Sequence, residues 1–330
     1  MPRSYILGTG AYAPETVVTN ADLEKMVNTS DAWISERTGI HERRRAQPGE
    51  NTSDLALRAS IQALEMAHTR PDEVDLILVA TVTPDTLMPA CAATLQYKLG
   101  AKNAFAFDIS AACAGSIYGL AIADQFVQTG KAKRALVIGA DLLTRMIDWT
   151  DRNTCVLFGD AAGAMVLGPV PPSSGKGSGI LSTHLYMDGS QTGILLIPGG
   201  GSAHPPTEET VKQKLHYVSM NGREVYKFAV RALVDATVAA LEHNGFTADQ
   251  VDHVVAHQAN VRIVEAVLER LKIPARKCHI NISKYGNTSS ASMPMTLDEI
   301  NRAGKIKKGD LVAMMAIGAG MAWGTAMVRW

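Results

Sequence analysis

The chain repeats itself. ADQFVQTGKAKRALVIGA, beginning at Ala123, matches LDEINRAGKIKKGDLVAMMAIGA, beginning at Leu297; Asp124 pairs with Asp298 and Gly130 with Gly304 at one offset of 174 residues. The order of segments repeats too. DEVDLILVATVTPD corresponds to DQVDHVVAHQANVR, each after a helical stretch, and DISAACAGS, starting at Asp108, corresponds to NISKYGNTSSAS, starting at Asn281. Duplication of one supersecondary unit accounts for this more simply than chance. Within each copy, aliphatic and β-branched runs such as VDLILVATV and RALVIGA alternate with helical stretches such as TSDLALRASIQALEMAH and EVYKFAVRALVDATVAALEHNG, the pattern of an α/β protein. The run PVPPSSGKGSG, Pro169 to Gly179, reads as the crossing between halves, so residues 1–171 and 172–330 are expected to form two similar units packed as a pseudo-dimer.

The 330 residues, 46% of them hydrophobic, can build one large core or two ordinary ones. Lys plus Arg equals Asp plus Glu, 32 against 32, so net charge gives no reason to expect nucleic acid or a membrane surface as partner. The opening MPRSYILGTGAYAP has too short an apolar stretch for a signal peptide, and nothing later approaches the roughly 20 apolar residues of a membrane span. A cytoplasmic location is expected. The four cysteines, Cys91, Cys113, Cys155 and Cys278, form no C-x-x-C pair, which argues against a zinc site and a disulfide framework.

Ligands of open α/β sheets bind near the carboxyl ends of strands, and duplicated halves bring equivalent ends to one crevice. Those ends carry Cys113 in the first half, and His257 and Asn287 in the second. Cys113 is followed by AGSIYGLA, which reads as a helix start. There the dipole and unpaired N–H groups favour thiolate and lower the pKa. The blander alternatives stay open: a lone cysteine is commonly a small buried hydrophobe, a histidine after a buried strand can be a satisfied core residue, and Gly-Asn is ordinary turn chemistry. The other three cysteines read as core, and PGGGS, at Gly199 to Gly201, lacks the strand, helix and lysine of a phosphate cradle.

DISAACAGS with Cys113, VAHQANVRI with His257, YGNTSSAS with Asn287 and the closing IGAGMAWGTAMVRW together resemble β-ketoacyl-acyl carrier protein synthase III of the thiolase superfamily. The likeness runs nearly end to end, through TSDAWISERTGIHERR and DRNTCVLFGDAAGAMVLG. It implies a thiolase-like fold, an α/β architecture of duplicated α-β-α-β-α layered halves. It also implies a condensation of acyl-CoA with malonyl-acyl carrier protein, giving 3-oxoacyl-acyl carrier protein, carbon dioxide and CoA, with no cofactor beyond the thioester substrate. By this resemblance Cys113 carries the acyl group and His257 and Asn287 donate hydrogen bonds to the enolate formed by decarboxylation. The backbone N–H groups of Cys113 and Ala319 make the oxyanion hole. Trp33 and Arg152 sandwich the adenine of CoA with Arg37 near its phosphates, and Lys227, Arg262 and Arg270 receive the acidic carrier. Met88 closes the acyl pocket, often across a homodimer interface. Two departures stand out: Ala319 where the family often has glycine, and Ile317 where it has an aromatic.

A degradative thiolase uses a second cysteine in its last glycine-rich motif, which GAGMAWG lacks. A starter-unit synthase or acyltransferase of a polyketide or other secondary pathway uses the same scaffold, and a catalytically silent partner subunit is the reading from another class.

Overall fold

The computed structural model describes residues 3–175 and 177–330. The first half contains β1 (Ser4–Tyr12), α1 (Asp31–Thr38), α2 (Thr52–Met66), β2 (Leu76–Ala80), α3 (Cys91–Leu99), β3 (Phe105–Ile109), α4 (Gly115–Gln128), β4 (Ala135–Leu142) and β5 (Asp160–Pro169). The second contains β6 (Gly179–Met187), α5 (Gly222–Asn244), β7 (His253–Ala256), α6 (Val261–Leu271), α7 (Ser292–Arg302), β8 (Leu311–Gly318) and β9 (Ala322–Arg329).

One sheet runs β1-β5-β4-β2-β3 and the other β7-β8-β9-β6. In the first, β5 runs antiparallel to both its neighbours, β1 and β4, whereas β4, β2 and β3 are parallel. The second repeats the scheme, with β6, β9 and β8 antiparallel and β8 parallel to β7. A lone parallel bridge from Val254 to Cys278 stands where β3 would have its counterpart.

The layers follow from side-chain patterning. β2 is LILVA, buried at every position, because both faces of its sheet are covered. The helix α4 buries Ile117, Leu120, Ala123 and Val127 in one core with residues from both sheets and from α7, so α4 and α7 form the middle layer. On the outer face of the first sheet, α2 and α3 close a second core through Leu55, Ala59 and Leu95. On the outer face of the second, α5 and α6 close a third through Leu233, Val264 and Leu268. The result is α-β-α-β-α. No helix among the described residues is long and apolar enough to cross a membrane.

The repeat is closest at the two helix entrances. A 3-10 turn at Ala112–Ala114 leads into α4, and one at Ser289–Ala291 leads into α7. Ala112 (φ 46°) and Ser289 (φ 52°) both adopt the left-handed conformation, so the counterpart of Cys113 is Ser290. Asn287 sits three residues upstream of that equivalence; α7 has 11 residues against 14 in α4, which shifts the sequence offset inside the pair. The Ser290 hydroxyl lies 2.8 Å from both Asp141 Oδ2 and Ala80 O, stitching the halves together beneath the site.

Candidate active site

The turn that lifts Cys113 from the end of β3 buries its thiol, leaving it 8% exposed. A Cβ added to Gly318, at the end of β8, would lie 2.5 Å from the Cys113 nitrogen and 2.8 Å from that of Ala114. This close approach needs a residue without a side chain. It brings Ala319 against the Cys113 backbone, and both residues line the same cavity.

Burial pushes the Cys113 thiol up to about 12; the Ser289 hydroxyl is the largest opposing influence and the nearby Asp141 carboxylate adds to the rise. The resting group is therefore a thiol, which corrects the lowered pKa expected from a helix start. The cost of burying a charge outweighs the helix end. Ser289 itself is buried, and it opposes the rise as a hydrogen-bonding neighbour of the sulfur.

His257 follows β7, its backbone N–H donating to Met315 O at 2.8 Å, with Nδ1 2.5 Å from Ser292 Oγ. Burial lowers its pKa to about 4, so the imidazole is neutral near pH 7. The Gln258 side chain braces the loop by donating to Ala256 O at 3.0 Å and His279 O at 3.3 Å.

Asn287 is held from three directions. Its N–H donates to Leu157 O at 2.8 Å, its carbonyl accepts from Gly159 N at 3.0 Å, and Oδ1 accepts from Ser289 N at 2.9 Å. With Oδ1 engaged, the side-chain NH2 is the group left to serve the chamber. Gly286 before it takes φ +65°, with its would-be Cβ 2.7 Å from Leu157 O, which explains why glycine precedes the asparagine. Behind this seam lies Arg43, fully buried, donating to Val156 O at 2.7 Å, Asn20 Oδ1 at 2.9 Å and Val18 O at 3.2 Å. Burial draws its pKa down to about 10.

Three adjoining spaces share lining residues at the site. The outer mouth, about 1170 Å³, is lined by Trp33, Arg37, Arg223, Lys227 and Arg262 among others. It shares Met220, Tyr226 and Asn260 with a middle chamber of about 120 Å³. Cys113, His257, Asn287 and Ile317 all border that chamber. Cys113, Phe158 and Leu195 in turn border a further cavity of about 410 Å³, less enclosed than the chamber and walled by Leu143, Leu196, Ile197 and Val218.

Several expected placements are corrected. Ile317 faces the chamber rather than the acyl cavity, because β8 ends beside Cys113. Met88 does not border the cavity of its own chain: it projects outward, 86% exposed, next to Leu87 at 88%. Arg270 lies in the last turn of α6, eight residues beyond Arg262, and is not part of the mouth. The Trp33–Arg152 pair is closed. The Arg152 guanidinium carbon sits 4.5 Å from the Trp33 ring centre and that of Arg37 4.7 Å from it, leaving no room for a third aromatic plane. Arg152 is also tethered, donating to Asn28 O at 3.0 Å. Lys227 pairs with Glu224 at 2.9 Å and Arg262 lies 3.8 Å from Glu36, so the mouth cations are partly screened. Sequence reasoning missed Ser289, Ser292, Arg43 and Arg223. The Ala112–Ser289 equivalence, had the repeat been aligned through the turns, was the signal for the first two.

A thiol from one repeat, facing an imidazole and a carboxamide from the other across a shared layer of helices, defines a condensing enzyme of the thiolase fold. Two family models match the chain: 3-oxoacyl-(acyl-carrier-protein) synthase III over residues 107–189, and its C-terminal part over 241–330. A β-ketoacyl-(acyl-carrier-protein) synthase III of Caldanaerobacter subterraneus is 53% identical over 325 residues, covering 98% of this chain and 97% of its own. The solved 3-oxoacyl-(acyl-carrier-protein) synthase III of Aquifex aeolicus superposes with a TM-score of 0.90 at 46% identity, covering 99% of this chain and 100% of its own. The priming β-ketosynthase of the R1128 polyketide pathway reaches the same TM-score at 35% identity, covering 99% of this chain and 96% of its own. The chain belongs to the 3-oxoacyl-(acyl-carrier-protein) synthase III family, condensing acyltransferases that initiate fatty acid synthesis.

Proposed function

We propose that this chain transfers an acyl group from acyl-CoA to Cys113 and condenses it with malonyl-acyl carrier protein, releasing CoA and carbon dioxide. The observation that carries the reading is the single chamber bordered by Cys113, His257 and Asn287 between a cationic mouth and an apolar cavity. The thioester carbon meets the Cys113 sulfur where the Cys113 and Ala319 amides converge on the developing oxyanion, so the donors are preorganised at the charge. Parking the acyl group on sulfur divides one difficult reaction into two. Decarboxylation of the malonyl group then leaves an enolate whose oxygen takes hydrogen bonds from His257 and Asn287, and its carbon attacks the acyl-cysteine. No cofactor is required beyond the thioester.

Trp33, Arg37 and Arg152 receive the nucleotide end of CoA, with Arg152 swinging off Trp33 to admit the base. Lys227 and Arg262 steer the phosphopantetheine-bearing carrier. Met88 and Leu87, too exposed to serve their own chain, seal the acyl cavity of a partner protomer in a homodimer.

The apolar cavity beyond Cys113 has room for more than acetyl, which also supports a starter-unit role in a secondary pathway. Product formation from acetyl, branched and medium-chain acyl-CoAs with malonyl-acyl carrier protein distinguishes the two readings. A fatty acid starter gives 3-oxoacyl-carrier product with the fatty acid carrier. Product only with a dedicated polyketide carrier would replace the first reading with the second.

A further inference from the structure

Ser292 is the first residue of α7 and nothing in the proposed reaction uses it. Its hydroxyl has three polar neighbours: His257 Nδ1 at 2.5 Å, Ser289 O at 3.0 Å and Gln258 N at 3.2 Å. The Gln258 amide can only donate and the Ser289 carbonyl can only accept. The Ser289 carbonyl already accepts the Ser292 backbone N–H and has a second lone pair. The hydroxyl's one hydrogen, given to that carbonyl, lets all three side-chain contacts form at once. The remaining contact is then satisfied only if His257 Nδ1 carries a hydrogen and donates it to Ser292 Oγ. In a neutral imidazole one nitrogen is the donor and the other the acceptor.

Resting on the proposed function, we infer that Ser292 is a positioning residue that locks His257 in the Nδ1–H tautomer, making Nε2 the sole port through which this histidine exchanges protons with the chamber. This assigns His257 a second task. Because Cys113 rests as a buried thiol, its proton must be removed as sulfur attacks. Nε2 accepts that proton, the carbon–sulfur bond to CoA breaks, and Nε2 returns the proton to the departing CoA sulfur. Loading is therefore proton-neutral.

Condensation of a malonyl carboxylate consumes one proton, drawn from water. It enters at Nε2, favoured there by the arriving carboxylate. The carbon–carbon bond to the carboxylate breaks, and Nε2–H donates to the enolate oxygen. As the new carbon–carbon bond forms and Cys113 sulfur is expelled, the same proton restores the thiol. With Nδ1–H held by Ser292 throughout, the ring need never turn.

Nitrogen-15 NMR of histidine-labelled full-length protein near neutral pH reads the tautomer directly, the His257 signals being identified among the nine histidines by their loss in His257→Gln. The expected result is a protonated Nδ1 and an unprotonated Nε2 in the free wild type. Ser292→Ala should shift the tautomer balance and slow Cys113 acylation by about ten- to a hundredfold, the worth of one buried hydrogen-bond partner. Ser292→Thr, which keeps the hydroxyl, should retain the wild-type tautomer and most of the rate. A proton on Nε2 in the free wild type would overturn the inference, as would Ser292→Ala with unchanged tautomer and rate. If Ser292→Ala does not fold, the wild-type and Ser292→Thr spectra decide. Acylation persisting in Cys113→Ala would instead defeat the nucleophile assignment while leaving the tautomer assignment intact.

Discussion

Gly318 and the backbone of Cys113 approach so closely that a single methyl at Gly318 would sit 2.5 Å from the Cys113 amide nitrogen. The contact joins the end of a strand in one repeat to the Cys113 turn of the other, and Cys113 and Ala319 line one cavity. Gly318→Ala is expected to spread the two amides and reduce acylation by on the order of a hundredfold, the usual effect of losing an oxyanion donor. Acylation kinetics with circular dichroism check it; a folded variant acylating at the wild-type rate would remove the oxyanion role.

Asn287 is the residue expected to separate the half-reactions. Because Ser289 N–H holds Oδ1, Asn287→Asp replaces the NH2 that serves the chamber with an acceptor. Loading should stay within severalfold of wild type while decarboxylation of malonyl thioester falls by about a hundredfold or more. Rapid-quench measurement of each half-reaction tests this, and equal losses in both would end the division of roles.

The raised thiol pKa has its own signature. Alkylation of Cys113 by iodoacetamide, followed by mass, should climb steadily with pH beyond 9 in the free protein, since burial holds the group near 12. A plateau between pH 6 and 7 would show a thiolate stabilised at the helix entrance, as the sequence led one to expect.

His257 also links stability to pH. Its ordinary value of 6.5 falls to about 4 on folding, so between those values the unfolded chain binds the proton more readily. The stability associated with the neutral ring is fully present above pH 6.5 and is lost as pH falls towards 4. Denaturant titrations of wild type and His257→Gln should therefore show the wild type losing stability faster across that window. Parallel curves would contradict the burial of a neutral ring.

The duplicated α/β plan was legible because both copies kept their turn glycines and aspartates, and the three chamber residues because each sits in a distinctive short motif. What escaped was set by distance in the chain. The apolar cavity is walled by Leu195, Leu196, Ile197 and Val218, from the stretch of short elements between β6 and α5, whose sequence carries no sustained periodicity. Arg43 reads as one of three surface arginines in ERRR, yet strand pairing with residues 16–19 turns it inward. The helix start after Cys113 was read correctly, but its electrostatic consequence was not, because burial of the thiol depends on Gly318 and Ser289 from the far repeat. Met88, placed at the acyl pocket by resemblance alone, is exposed and does not border the cavity of its own chain, a position that no pattern in the sequence around it marks.

The most direct test is the intact mass of the protein after separate incubation with acetyl-, branched-chain and medium-chain acyl-CoAs, with Cys113→Ala alongside. One added acyl group on the wild type and none on the variant is the predicted result, and the chain loaded fastest identifies the starter. An unmodified wild type with every donor, or a variant that acylates equally, would contradict the account.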